Sequence, residues 1–339
     1  MRHIAAIFLF TFLLFSCGQP DKYPYKTSDF RPELKKQLDK LANEKSLPSN
    51  DTTARNFLRV NCSKDELLRI LNCNHPLLRI ISYRTIVNRN EPDYFQILLN
   101  HLDDTAKVIL IWDEDVVYNS MISDLMIEKL LYEKKMSRKQ KDILIDSVLI
   151  HFSNLENAYR MIKEIEPNER YYQVIKSKAK IKTWNVDQMW TIYALSKFKK
   201  PEDVSFLKNI FLNCKEGFYG WTFKSIENFP DSNFFPILEN YLETNFKIKE
   251  HFSYDFLKYY CRAVASFKNI KSANILASLA KPETYADKSY LTYNKEFIFR
   301  AIQKYNSPFY DSIYNELKPQ MPEYMIKGLG NYEEEETTW

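Results

Sequence analysis

Glycine is nearly missing from this chain: five in 339 residues, at positions 18, 217, 220, 328 and 330, with none between 19 and 216. Phosphate-cradling loops and dinucleotide-binding turns need closely spaced glycines to bring backbone amides onto a ligand. A nucleophile elbow needs glycine on both sides of its serine, and tight hairpins favour glycine at positive φ. None of these devices can be placed here. Histidine is also scarce. His3, His75, His101, His151 and His251 include no pair at the i, i+4 spacing of a zinc-binding helix and no HExxH. An excess of one charge is lacking too: 48 Lys and Arg stand against 44 Asp and Glu. That balance argues against nucleic acid or an anionic membrane face as the partner.

What is present begins at the N-terminus. Arg2 and His3 precede a twelve-residue apolar run, Ile4 to Phe15, broken only by Thr11. As a helix it would span roughly 18 Å at 1.5 Å per residue, short of the roughly 30 Å hydrocarbon core of a bilayer. A basic start, a short apolar core and a small residue before the cut are the layout of a secretory signal.

The end of this run, Leu14-Phe15-Ser16-Cys17, resembles the lipobox of bacterial lipoproteins: an aliphatic residue, a variable one, a small one, then Cys. The resemblance implies cleavage between Ser16 and Cys17, with diacylation of the Cys17 thiol and acylation of the new amine. Several acyl chains at about 0.8 kcal/mol per buried CH₂ make such an anchor effectively permanent, where a single chain is marginal. Gly18 follows in place of an aspartate retention signal, which favours the outer membrane of the cell envelope as destination. The abundance of Lys, Asn, Ile, Tyr and Phe fits an AT-rich genome of the Bacteroidetes-like kind.

Removing residues 1–16 leaves roughly 320 residues, enough for one elongated domain or two compact ones. Residues 17–53 read as the lipidated cysteine and a tether: Pro20, Pro24 and Pro32 lie among polar residues, with a short helix marked by Leu34, Leu38 and Leu41. Regular organisation begins near Ser63-Lys64-Asp65-Glu66, a capping box in which Ser63 and Glu66 each satisfy the other's backbone amide. From there a helix, a polar or Pro-containing corner and a second helix recur. Residues 190–195 lead through Pro201 to Leu207; residues 223–229 lead through Pro230 to Leu238. Residues 259–267 lead through Asn269 to Leu276, and residues 297–305 lead through Pro308 to Ile313. Leu207, Leu238, Leu276 and Ile313 are equivalent positions spaced 31, 38 and 37 residues apart.

A period in the thirties with two helices per unit resembles HEAT or armadillo-like repeats. The resemblance implies an all-α fold, a HEAT-like α-solenoid of antiparallel helix pairs over residues 54–328, ahead of an acidic tail at 329–339. Residues 130–185 fit the period least and suggest longer helices or a degenerate repeat. Val108-Ile109-Leu110-Ile111-Trp112 does not fit it either. Residues 107–112 read as a short β insertion or a buried connector, with Asp113-Glu114-Asp115 as negative charge at the start of the next helix.

Candidate chemistry is thin. Asp103, Asp104, Asp113, Glu114 and Asp115 near His101 lack the alternating ligands and glycine of a calcium loop, so neither metal nor other cofactor is expected. Cys62 and Cys73 bracket a helix and should lie about 15 Å apart, beyond the roughly 7 Å a disulfide permits. Cys214 and Cys261 could meet across neighbouring repeats, but buried free thiols are the default. The corner Gly217-Phe218-Tyr219-Gly220-Trp221 offers Phe218, Tyr219 and Trp221 as an interaction loop for a glycan or a protein. The competing reading has Gly217 end a helix at positive φ and the aromatics fill the core. The leading expectation is a non-enzymatic, lipid-anchored binding or scaffold module for an envelope protein. The alternative is an envelope enzyme or glycan-processing component whose site is assembled from distant residues.

Labelling with radioactive palmitate is expected to mark the wild-type chain and to leave Cys17→Ala unlabelled. Equal labelling of both would remove the lipobox reading.

Overall fold

The computed structural model describes residues 22–47, 52–112, 116–133, 136–181, 183, 185–248 and 254–327. The described residues are mostly helical: 18 α-helices and two short strands, with 71% of residues in helix. The fold is therefore all-α in class, with one small hairpin. The chain divides into two compact units, Met1–Val148 and Leu149–Trp339, a division inside the stretch read from sequence as one repeat domain.

In the first unit α1 (Pro32–Ala42), α2 (Thr52–Asn61), α3 (Lys64–Leu71), α4 (Pro76–Asn88) and α5 (Tyr94–Leu99) precede the hairpin, and α6 (Ile122–Glu133) and α7 (Arg138–His151) follow it. Helix α4 is the centre of this unit, with α1, α2, α3, α5 and α6 all packed on it. Its sequence shows why: ten of its thirteen residues are buried, so it has no polar face, the signature of a helix surrounded on all sides. Ser63 and Glu66 form the expected reciprocal cap on α3.

Residues 107–112 form strand β1 (Lys107–Trp112), paired antiparallel with β2 (Val116–Met121) so that Ile109 faces Asn119 and Ile111 faces Val117. Leu47 bonds to the opposite edge of β1, giving its amide to Ile109 O and accepting from Ile111 N, both at 2.9 Å. The expected helix after residues 113–115 starts only at Ile122, because Val116 and Val117 continue the β-branched pattern that suits a strand. The Asp113-Glu114-Asp115 tip lies outside the described residues.

Residues 22–30, expected within an extended tether, are folded onto this unit. Tyr25 forms a parallel bridge to Cys73: Asn74 N donates to Tyr25 O at 2.9 Å. A 3₁₀ turn at Thr27–Asp29 then leads into α1, whose Leu34, Leu38 and Leu41 are all buried.

The second unit holds α8 (Asn157–Glu164), α9 (Glu169–Ala179), α10 (Val186–Ser196), α11 (Val204–Leu212), α12 (Tyr219–Asn228), α13 (Phe235–Tyr241), α14 (Tyr254–Ala265), α15 (Ile270–Leu279), α16 (Asn294–Lys304), α17 (Asp311–Leu317) and α18 (Glu323–Ile326). Helices α8, α10, α12, α14 and α16 are successive neighbours, while α15 packs on α14, α16 and α17. Leu207, Leu238, Leu276 and Ile313 are buried, one each on α11, α13, α15 and α17. Buried tyrosines tie the two series together through their polar tips. Tyr260 donates to Leu238 O at 2.7 Å and Tyr310 to Ala265 O at 2.8 Å, so each ring buries apolar area without orphaning its hydroxyl.

Three corners between paired helices use left-handed backbone: Asn90, Lys199 and Lys268 have φ of 56°, 52° and 49°. They follow α4, α10 and α14, and the amides of all three bond back to the carbonyl three residues earlier. A chain so poor in glycine fills these positions with side chains that strain there. Replacing exposed Lys268 with Gly is expected to raise unfolding stability by about 1 kcal/mol in urea denaturation, whereas Lys268→Ala gives no gain.

Candidate functional site

Cys17 and Ser16 lie outside the described residues. The three aromatics of the expected interaction loop do not act together. Glu216–Phe218 is a 3₁₀ turn, and Gly217 within it has ordinary backbone and open space beside it, so its expected helix-ending positive φ is absent. Phe218 is half-buried at the turn. Tyr219 and Trp221 open α12 two residues apart, and residues at that spacing do not share a helix face. Tyr219 turns into a ring cluster, 4.7 Å from Tyr241 and stacked on Phe223 at 6.1 Å. It serves packing, as the core reading expects; Trp221 packs as well, but against α10 on a half-buried side.

Trp221 meets two rings of α10 edge-on, Tyr193 at 5.5 Å and Trp190 at 6.4 Å. Spacing on each helix produces this assembly: Trp190, Tyr193 and Lys197 recur at i+3 and i+4, and Trp221 and Lys224 at i+3, so each helix offers one stripe. Cations fill the gaps between rings. Lys163 of α8 lies 5.6 Å from the centroids of both Trp190 and Trp221. Lys224 lies 4.7 Å from Trp221 and 4.1 Å from Tyr259 of α14. Each such contact contributes about 0.5–1 kcal/mol near the surface. The four rings and both lysines are half-buried, so the stripe keeps a solvent-facing side across four successive helices.

Two further groups fix this surface. Lys197 donates to Ile165 O at 3.2 Å and Lys163 O at 3.4 Å, satisfying carbonyls at the C-terminal end of α8 where a cation is favoured. Burial holds its pKa below the ordinary lysine value. Glu227, buried near the C-terminus of α12, accepts from Arg262 Nε at 2.9 Å and from Tyr305 Oη at 2.5 Å, and pairs with Lys304 at 3.1 Å. One carboxylate thus joins α12, α14 and α16. The Trp190 Nε1–H is buried with no acceptor, a donor left over where the rings crowd together.

Of the residues weighed for metal chemistry, Asp113, Glu114 and Asp115 lie outside the described residues, and the others have protein partners. Asp104 is held by Arg79, Asp103 by Lys22, and His101 Nδ1 by Ile97 O at 2.9 Å. Among the described residues no group of three or more His, Cys, Asp or Glu is placed to hold a metal ion. Cys62, Cys73, Cys214 and Cys261 are free thiols. Burial pushes Cys62 and Cys214 up to about 11 and raises Cys73 and Cys261 as well. All four are therefore protonated, weak nucleophiles at neutral pH.

Sequence reading named Trp221 but missed Trp190, Tyr193, Lys163, Lys224 and Tyr259. The usable signal was i, i+3 pairing of an aromatic with an aromatic or a lysine on helices that face one another. No helix among the described residues is long and apolar enough to cross a membrane. No protein family, curated protein or solved structure matches the chain.

Proposed function

We propose that this chain is a non-enzymatic binding module of the cell envelope, lipid-anchored through Cys17, in which HEAT-like helix pairs present one continuous docking face. The observation that carries the reading is the stripe of Trp190, Tyr193, Trp221 and Tyr259 interleaved with Lys163 and Lys224. Half-exposed Trp and Tyr supply large, rigid contact area, and tryptophan and tyrosine are enriched among the residues that dominate binding energy. Lys224, together with Lys163 beside its ion-pair partner Glu164, places ammonium groups along the stripe, which suits an acidic segment of a protein partner. Of the buried carboxylates, Asp104, Asp203 and Glu227 are each matched to cations, which gives these three a structural role.

The folded N-terminus adds a positional argument. Four residues lie between Cys17 and Lys22, where the described chain begins folded onto the first unit, and five extended steps span at most about 18 Å. A lipid on Cys17 would hold the first unit close to the bilayer surface.

The paired tryptophans also favour a second reading, stacking on a sugar ring. Both are tested by comparing the lipidated wild-type chain with Trp221→Ala and Lys224→Glu in cross-linked pull-downs from envelope fractions and on a glycan array. The protein reading expects a partner recovered by the wild type and lost by both variants, because a central Trp contributes at least about 2 kcal/mol. Glycan binding lost in Trp221→Ala but kept in Lys224→Glu selects the second reading. Identical behaviour of all three chains rejects the stripe as the docking face.

A further inference from the structure

The first unit contains a cleft of about 360 Å³ between α2, α4 and α6. Its lining carries four cations from three helices: Arg55 and Arg59 from α2, Arg84 from α4 and Lys129 from α6. No Asp or Glu is among the described residues that line it. Lys129 is 8% exposed. Arg55 makes no hydrogen bond or ion pair among the described residues, and its Nε is buried with no acceptor. The buried Arg55 guanidinium donor without an acceptor costs free energy. An anion seated among the cations of this lining supplies that acceptor.

We infer that this cleft binds a phosphorylated polyol. The charge of the lining selects the anion. Arg presents its donors in a planar fork that matches phosphate oxygens, and a buried lysine adds a compact charge behind it. The volume lies at the lower end of the roughly 300–1,000 Å³ of small-ligand sites, more room than a bare phosphate fills. Asn56 and Asn88 complete the lining beside the arginines, and their amides both donate and accept, as a ring of hydroxyls requires. Asn56 is already oriented, its Oδ1 accepting from Arg59 Nη2 at 2.8 Å. A soluble sugar phosphate and the phosphorylated polyol headgroup of a lipid share this chemistry. The site is separate from the aromatic stripe and does not depend on it.

The test uses the lipidated full chain and titration calorimetry with glucose 6-phosphate, glucose and inorganic phosphate. A parallel arm reads thermal unfolding in phosphatidylcholine vesicles with and without phosphatidylinositol. Glucose 6-phosphate or phosphatidylinositol is expected to bind or to raise the unfolding temperature. Arg55→Gln is expected to weaken that effect at least tenfold, and glucose to have none. A response to glucose 6-phosphate identifies the soluble source, and a response confined to phosphatidylinositol the lipid one. Arg59→Gln, at an exposed position, provides a second variant should Arg55→Gln fold poorly. Binding unchanged in both variants, glucose binding as well as its phosphate, inorganic phosphate binding as tightly as the sugar phosphate, or no response to any probe would each overturn the proposal.

Discussion

Arg79 and Asp104 face each other with side chains 3% and 1% exposed, joined by Nε–Oδ2 at 2.8 Å and Nη2–Oδ1 at 2.9 Å. Removing two charges from water costs several kcal/mol per ion, and the pair is tolerated only where its remaining polar atoms are satisfied. Here they are. Arg79 Nη1 donates to Cys73 O at 3.0 Å, and Asp104 Oδ1 also accepts from Ala106 N at 3.3 Å. The ring of Tyr23 lies 3.9 Å from the guanidinium carbon, and burial, together with the Asp104 carboxylate, pushes the Tyr23 hydroxyl well above its ordinary pKa. Breaking such a pair by removing one partner typically costs 3–5 kcal/mol.

This contact joins the central helix of the first unit to the segment before β1 and to Tyr23. Arg79 belongs to α4, on which the unit's other helices pack. Asp104 stands just before β1, and its carbonyl accepts from Ser123 N at the start of α6, so the hairpin leaves and re-enters the fold at the same place. Tyr23 brings in the chain's first described residues, and the Tyr25–Cys73 bridge continues that docking. Under the proposed anchoring at Cys17, the first described segment downstream of it is clamped to the core of the first unit. The second unit is tied together differently. Its stripe rests on repeated helix spacing, with Glu227 and Lys197 as polar ties between successive helices.

The helical class was legible because it follows from local chemistry. Scarce glycine, the Ser63–Glu66 box and apolar residues at helical spacing all point the same way. The burial of Leu207, Leu238, Leu276 and Ile313 was legible as well, since each lies on the apolar side of a short helix. The hairpin was half legible: β1 has a continuous apolar run, but β2 follows Asp113-Glu114-Asp115 and was read as the opening of a helix. The folded state of residues 22–30 was not legible, because a proline-rich polar segment reads as extended whether or not a buried arginine captures its tyrosine. The cleft and the stripe both depend on residues brought together from separate helices. Pairwise spacing shows which residues share one helix; it does not show which helix lies opposite. For that reason Trp221 was named and its partner Trp190 was not.

Amide hydrogen exchange at Asn74 reads the central constraint directly, since its N–H is bonded to Tyr25 O. The account predicts slow exchange in the wild-type chain. It also predicts that Asp104→Asn accelerates Asn74 at least tenfold more than the Leu207 amide in the other unit. Wild-type exchange at the rate of an unstructured peptide, or equal acceleration at both positions, would contradict it.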